Sequence, residues 1–314
     1  MERTGTITPA ERETLLKIAQ GRNAAIPNII EEDRVLQERR EFRTGVLRLF
    51  SHYWLRQGSV LTGQENLDKA MSHAQDGSPL IVVSNHLSDA DHVIKRFMLE
   101  KNGYKEFADL MLFLGGLKMI ERWEIRQVAS AERMALIPTP KDIDLVRRAL
   151  HFGQFSEQEL EMLRQLKTNY VNLSNIAKTQ VLESIHKNNH ILGFYPEGGR
   201  SYSGFVDQQH INILSNTWYD SLPDGYIVPI SVEGGEHIVP PNELPKLHRS
   251  INAVISVDEP IPIAQVLEKA STISGKRNRE QFIADYPFSK VVKMLSLKYV
   301  DPNIKSYYQK LAAA

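Results

Sequence analysis

The spacing of short apolar runs is the sequence feature that most constrains the fold. Each run is about as long as a single strand, and longer segments with helical patterns separate them. The helical segments include Asp91–Lys101 and the polar stretch Lys141–Lys187. The alternation predicts an α/β fold in which a mixed β-sheet is flanked by helices. The apolar runs are Pro79–Val83, Leu110–Leu114, Ala135–Ile137, His190–Tyr195, Tyr226–Ile230 and Ile251–Val257.

The N-terminal residues have a helical pattern instead. Thr8-Pro9-Ala10-Glu11 supplies an N-cap, a proline at the first helical position and a reciprocal glutamate. A second helix is expected from about Ile29 to Gln57. We therefore expect a helical segment at residues 1–60 and an α/β domain at residues 61–314.

Two segments have more than one interpretation. Val46–Arg56 mixes apolar, aromatic and basic residues, as interfacial membrane helices do, but packing on the α/β domain is the favoured alternative. A second set of apolar residues recurs at helical spacing and predicts a core or a helix–helix seam, with a cofactor surface as the less favoured alternative. That set is Met162, Leu163, Leu166, Tyr170, Leu173 and Ile176.

Composition excludes several classes of protein. The 314 residues include 38 basic and 38 acidic side chains, so nucleic acid is not an expected partner. The absence of cysteine excludes disulfide scaffolds, thiolate zinc sites and cysteine nucleophiles. No apolar run reaches the ~20 residues of a membrane-spanning helix, and no apolar core of a signal peptide follows Met1. We expect a soluble, cytoplasmic protein, with peripheral membrane contact left open.

A polar motif follows the apolar run Pro79–Val83. It reads Ser84-Asn85-His86-Leu87-Ser88-Asp89-Ala90-Asp91, at a strand end of the kind where α/β sheets bind ligands. Histidine is suited to take a proton near neutral pH, and Asp91 is placed to hold the second ring nitrogen of His86. Asp89 is an alternative partner. In the plainer interpretation, both aspartates only cap the next helix.

A second motif follows the run His190–Tyr195 and continues through residue 204. Gly198 and Gly199 let the backbone approach a ligand and present N–H groups to an anion. Arg200 adds a planar donor fork suited to phosphate. Glu197 is placed to orient Arg200 or to bind a substrate hydroxyl. The plainer interpretation is a strand-to-loop turn with a surface ion pair.

Together the motifs resemble the glycerolipid acyltransferase family, which acylates glycerol 3-phosphate and lysophosphatidate. The family's first block is Asn-His, four residues and Asp, which Asn85, His86 and Asp91 match. Its third block is Pro-Glu-Gly-X-Arg-Ser, which Pro196–Ser201 matches. A strand with a central proline at residues 227–231 and a lead-in at residues 61–67 also fit, so the resemblance covers roughly residues 60–260.

The family's second block is matched less well. Many members carry Gly, a Phe-Ile pair and Arg there, whereas residues 114–122 read LGGLKMIER. Lys118 and Arg122, with Lys141 after the next strand, are the candidate phosphate contacts, and the plainer alternative for each is an exposed surface cation. The placement of Lys141 looks like that of soluble plastid-type glycerol-3-phosphate acyltransferases, and the double glycine before Arg200 resembles the glycerol-3-phosphate branch more than the lysophosphatidate branch.

The resemblance implies acyl transfer from a thioester to the hydroxyl of glycerol 3-phosphate, in phospholipid synthesis. His86 would act as general base and Asp91 would hold its tautomer. The donor would be acyl-CoA or acyl-carrier protein, and neither a cofactor nor a metal is expected. The residues implied to bind the acceptor are Glu197, Gly198, Gly199, Arg200, Ser201, Lys118, Arg122 and Lys141.

Four alternatives stay open. The acceptor could be lysophosphatidate, with the same mechanism. The chain could be a non-catalytic module that binds lipid or phosphate. A hydrolase would use Ser88 or Ser201 as nucleophile, although neither lies in a Gly-x-Ser-x-Gly turn. A metal site would use His86, Asp89 and Asp91, although no second ligand cluster is evident.

Overall fold

A computed structural model describes residues 7–21, 45, 52, 54–88, 90–116, 133–138, 140–197, 206, 211, 216–237 and 250–313. The strands are β1 Val60–Thr62, β2 Leu80–Ser84, β3 Met111–Gly116, β4 Arg133–Ile137, β5 Ile191–Phe194, β6 Tyr226–Glu233, β7 Val254–Val257 and β8 Ile261–Pro262. The helices are α1 Pro9–Gly21, α2 Gln64–Gln75, α3 Asp91–Lys101, α4 Lys105–Leu110, α5 Pro140–Phe152, α6 Glu157–Asn188, α7 Asn216–Tyr219, α8 Ile263–Ser271, α9 Lys276–Met294 and α10 Pro302–Ala313. Short 3₁₀ turns cover Gly235–His237 and Leu297–Tyr299.

The strands form one mixed sheet in the order β1-β7-β6-β2-β5-β3-β4, with β8 paired to the start of β6. The pairs are parallel except where β7 and β8 run antiparallel to β6. This arrangement confirms the predicted α/β class with a mixed sheet and flanking helices.

The central strand β2 supplies side chains to both layers of helices. Ile81 and Val83 belong to a core with buried residues of α6, α8, α9 and α10. Leu80 and Val82 belong to a core with residues of α2, α3 and α4. All residues of β2 are buried, which explains why its sequence is apolar without alternation from Leu80 to Val83.

Parallel pairing places the two sequence motifs at the same edge of the sheet. Val83 in β2 pairs with Phe194 in β5, and Ser84 pairs with Ile230 in β6. The residues that follow β2 and β5 therefore leave the sheet side by side. Ligands of open α/β sheets bind at this edge, beyond the carboxyl ends of the strands.

The predicted polar stretch Lys141–Lys187 is two helices rather than one. The first, α5, ends at Phe152, and α6 begins after Ser156. The Ser156 side chain accepts a hydrogen bond from the Glu159 N–H, and the Glu159 carboxylate accepts one from the Ser156 N–H. This capping box starts a new helix, and the sequence analysis did not recognise it.

The predicted N-terminal cap of α1 is confirmed. The Thr8 N–H donates to Glu11 Oε2 over 2.9 Å, and the Glu11 N–H donates to Thr8 Oγ1 over 3.2 Å. The helix packs on α5 and α6 through a small core of its own. Its buried members are Leu15, Ala19, Val146, Ala149, Leu163, Leu166 and Tyr170.

The structure tests the second predicted N-terminal helix only in part. Most of the helix expected between Ile29 and Gln57 lies outside the described residues. Trp54, near its end, is 8% exposed and packs in the core with Ile251, as the packing interpretation of Val46–Arg56 requires at this residue. The boundary at residues 60 and 61 stays a prediction. No described helix combines the length and apolarity needed to cross a membrane.

The predicted seam of apolar residues in α6 is correct except at one position. Leu163, Leu166 and Tyr170 are buried, whereas Ile176 is 53% exposed. The buried stripe continues instead through Ala177. At 3.6 residues per turn, Ala177 lies seven residues after Tyr170 on the same face, and Ile176 lies beside that face.

Candidate active site

The Asn85 side chain fixes the point where the chain leaves β2. It is fully buried, and its Nδ2 donates to the Val232 carbonyl while its Oδ1 accepts from the Val232 N–H, each over 2.8 Å. The amide thus continues the β2–β6 hydrogen bonding one residue beyond Ser84. His86 is thereby placed at the edge of the sheet, where its side chain is 13% exposed.

A buried carboxylate faces the His86 imidazole. Nδ1 of His86 lies 3.4 Å from Oδ2 of Asp91, which is fully buried at the start of α3. The same oxygen accepts hydrogen bonds from the N–H groups of Leu87, over 2.7 Å, and Ser88, over 2.8 Å. The carboxylate is therefore fixed by the loop that carries the histidine. Because Asp91 faces Nδ1, Nε2 is the ring nitrogen that can reach a substrate.

A hydrogen bond between Ser88 and Gly235 also holds the loop that carries His86. The Ser88 hydroxyl donates to the Gly235 carbonyl over 2.9 Å and accepts from the Ala90 N–H over 3.1 Å. The hydroxyl is fully buried, which argues against Ser88 as a nucleophile. Only glycine fits at position 235, because a Cβ there would lie 2.3 Å from Asp91 Oδ1.

Glu197 joins the second motif to the first. Its Oε2 accepts a hydrogen bond from the backbone N–H of His86 over 2.8 Å. The side chain is 6% exposed. Its carboxylate therefore holds the loop of His86, a contact that differs from the two predicted for Glu197, with Arg200 or with a substrate hydroxyl.

Aromatic and basic side chains surround the imidazole on its buried side. The Tyr195 ring stacks on His86 with centroids 4.2 Å apart, and His92 lies edge-on to Tyr195 at 4.7 Å. Lys95 is fully buried, with Nζ 4.9 Å from the Tyr195 ring centroid and 5.1 Å from that of Phe113. We call Tyr195, His92, Lys95 and Phe113 the imidazole-support cluster.

Sequence reasoning missed this cluster. His92 and Lys95 read as the polar positions of an ordinary surface helix, and their i, i+3 spacing was the available signal. Burial lowers the pKa of His92 well below its ordinary value, and repulsion from His86 and Lys95 lowers it further. His92 is therefore neutral at physiological pH.

The structure brings three of the predicted site residues together, namely His86, Asp91 and Glu197. Lys141 lies in the first turn of α5, and its side chain is outside the described part of the chain. The acceptor-binding predictions at these positions therefore stay predictions. The others outside the described residues are Gly198, Gly199, Arg200, Ser201, Lys118 and Arg122, together with Asp89, the alternative partner of His86.

No group of three or more His, Asp or Glu side chains among the described residues is arranged to hold a metal ion. The alternative metal site at His86, Asp89 and Asp91 is tested only in part, because Asp89 is outside those residues. His86 and Asp91 contact each other directly, and Asp91 Oδ2 is already occupied by two backbone N–H groups.

Comparison with known proteins gives matches among solved structures alone. No family model and no curated protein sequence matches the chain. The crystal structure of the 1-acyl-sn-glycerophosphate (LPA) acyltransferase PlsC from Thermotoga maritima is similar, with 14% sequence identity and a TM-score of 0.41. The match covers 89% of this chain and 86% of that chain.

Proposed function

We propose that this chain transfers an acyl group from a thioester to a hydroxyl of a glycerol phosphate acceptor. The observation that carries the proposal is the pairing of His86 Nδ1 with Asp91 Oδ2 at 3.4 Å, at the edge of an α/β sheet. The carboxylate is fully buried and the imidazole is partly exposed. This is the arrangement that a general base needs, because the carboxylate selects the tautomer and the other ring nitrogen faces the substrate.

The proposed reaction needs no covalent enzyme intermediate. Nε2 of His86 takes the proton from the acceptor hydroxyl while the hydroxyl oxygen attacks the thioester carbonyl carbon. The carbon–sulfur bond then breaks, and the departing thiolate takes the proton back from the imidazolium. An ester and a free thiol result, and His86 returns to its neutral form. Asp91 stabilises the imidazolium while it exists.

The acceptor is assigned through the second sequence motif. Glu197 begins the Glu-Gly-Gly-Arg-Ser segment, and its hydrogen bond to the His86 N–H fixes the start of that segment beside the base. Arg200 and the two glycines supply the donor types that suit a phosphate. Glycerol 3-phosphate and lysophosphatidate both present a phosphate and a free hydroxyl, so the proposal covers both acceptors.

The test is an acyl-transfer assay with the purified chain. Acyl-CoA and acyl-carrier protein are offered as donors, with glycerol 3-phosphate or lysophosphatidate as acceptor, and the acylated product is identified by mass spectrometry. His86→Ala should lower kcat by about 10²–10⁴-fold, the usual contribution of general base catalysis. His186→Ala, at an exposed position of α6, is the matched control and should retain full activity.

Each outcome of the assay bears on the proposal. Product formed from one acceptor only identifies the substrate, and it supports the mechanism if His86→Ala lowers kcat by the expected factor. A kcat in His86→Ala within a few-fold of the wild type overturns the role of His86. Binding of an acceptor without any product, with every donor, would instead identify a non-catalytic lipid- or phosphate-binding module.

A further inference from the structure

We propose that Tyr195 is a positioning residue for His86, and that the buried Lys95 holds Tyr195 in place. This inference rests on the proposed function, because it assigns the imidazole-support cluster to the same base. Tyr195 follows β5 directly, and Lys95 lies in α3 one helical turn after Asp91. The turn after β5 and helix α3 therefore meet on the buried side of the imidazole.

The contact with Asp91 alone leaves the imidazole plane poorly defined. The Nδ1–Oδ2 distance of 3.4 Å is longer than the usual 2.7–3.2 Å of a hydrogen bond. Tyr195 supplies a second restraint, because its ring lies 4.2 Å from the imidazole with an angle of 17° between the planes. The carboxylate sets the direction of Nδ1, and the stacked ring sets the plane of the imidazole.

Lys95 in turn restrains the Tyr195 ring. Its ammonium lies 4.9 Å from the centroid of Tyr195 and 5.1 Å from that of Phe113. Since Lys95 is fully buried, this cation–π contact takes place away from water, where such contacts are stronger than at an exposed surface. Phe113 fits there because Gly193 faces it, and a Cβ at position 193 would lie 2.7 Å from its ring.

His92 completes the cluster without adding charge. It meets Tyr195 and Phe113 edge-on, with angles between the ring planes of 88° and 90°. A protonated ring 5.7 Å from His86 would oppose the imidazolium that the reaction forms, but burial keeps His92 neutral. Lys95 lies four residues after Asp91, so the two buried side chains leave α3 on the same face.

The test compares two substitutions of Tyr195. Tyr195→Phe keeps the stacked ring, and Tyr195→Leu keeps much of the volume but removes the stack. Tyr226→Leu is the matched control, because Tyr226 stacks on His73 with centroids 3.7 Å apart and away from the site. The readouts are kcat and KM for the acceptor, and the imidazole ¹H–¹⁵N spectrum of the full chain labelled at histidine nitrogen, with His86 assigned through His86→Ala.

The expected results separate positioning from simple packing. Tyr195→Leu should lower kcat by about 10²-fold with little change in KM, the loss expected when a reacting group is misplaced. It should also convert the His86 signals from one tautomer to a mixture. Tyr195→Phe should restore both readouts, and Tyr226→Leu should change neither. Lys95→Met, which removes the charge and keeps the length, should shift the His86 signals in the same direction as Tyr195→Leu.

The proposal is overturned if Tyr195→Leu, like the control Tyr226→Leu, changes neither the His86 signals nor kcat. It is also overturned if Tyr195→Phe is as defective as Tyr195→Leu, since the hydroxyl and not the stack would then matter. The spectrum needs no substrate. If the wild-type chain transfers no acyl group, the proposed function fails, and the spectrum still shows whether Tyr195 orients the imidazole.

Discussion

The carboxylate of Glu197 accepts a hydrogen bond from the backbone N–H of His86, although 111 residues separate them in the chain. The bond joins the turn after β5 to the turn after β2, at the edge of the sheet where both motifs leave it. The contact is to the backbone of His86, so Glu197 sets the position of the loop and leaves the imidazole to Asp91 and Tyr195.

Substitutions of Glu197 should affect stability according to whether they keep this acceptor. Glu197→Gln keeps a side-chain oxygen and should change the free energy of unfolding little. Glu197→Ala removes the acceptor of the His86 N–H and should lower the free energy of unfolding by about 1–3 kcal/mol. Urea denaturation of both variants measures the difference. An equal loss in both would show that the fold depends on the negative charge and not on the hydrogen bond.

Asp91→Asn separates the structural role of Asp91 from its proposed catalytic role. The amide oxygen can still accept from the N–H groups of Leu87 and Ser88, so the Tm should stay close to that of the wild type. The amide cannot stabilise an imidazolium, so kcat should fall by about 10²–10⁴-fold. Steady-state kinetics and thermal unfolding of the same preparation test this. A kcat within a few-fold of the wild type would leave Asp91 a purely structural residue.

Gly235→Ala should reduce activity because the new methyl group would press on the loop of the base. The Cβ would lie 2.3 Å from Asp91 Oδ1 and 3.1 Å from the Ser88 Cβ. Asp91 is held by the loop N–H groups, so the loop has to shift, at a cost of about 1–3 kcal/mol in stability. Gly45→Ala is the control, since nothing lies within 4 Å of a Cβ there. Assays of both variants should show a loss of kcat only for position 235, and an unchanged kcat in Gly235→Ala would contradict this account.

The predictions that succeeded depend on local patterns. The range Asp91–Lys101 was predicted as a helix and is α3, and the run Pro79–Val83 is β2 to within one residue. Buried strands carry continuous apolar residues, and helix starts carry their own capping chemistry, so both are visible in a short window of sequence. The short strands β1 and β8 were missed because two or three residues carry no period.

The contacts that sequence reasoning missed are long-range. The bond between Glu197 and His86 depends on β2 and β5 being neighbours in the sheet, which no local pattern reveals. Lys95 has the residue type and spacing of a solvent-exposed helix position, yet it is fully buried beneath Tyr195. Lysine is rarely buried without compensation, so its location becomes predictable only when the aromatic rings around it are known.

The buried histidine of the imidazole-support cluster gives the stability a defined pH dependence. Burial lowers the pKa of His92 below its ordinary value of 6.5, and the neighbouring His86 and Lys95 lower it further. Below pH 6.5 the unfolded chain binds a proton at His92 that the folded chain does not. The unfolded state therefore binds more protons, and the free energy of unfolding should fall as the pH falls from 6.5 toward the folded pKa, by up to ~1.4 kcal/mol per pH unit.

The variant His92→Gln tests this dependence, because glutamine does not titrate. Urea denaturation at pH ~7.5 and pH ~5 should show a smaller loss of stability on acidification in this variant than in the wild type. The exposed His186 provides the matched control, and His186→Gln should keep the wild-type slope. His186→Gln shows what the loss of an exposed imidazole does to the slope, so a smaller slope in His92→Gln but not in His186→Gln is assigned to the burial of His92. Equal slopes in His92→Gln and the wild type would mean that His92 takes up its proton without unfolding, which its burial beside Lys95 argues against.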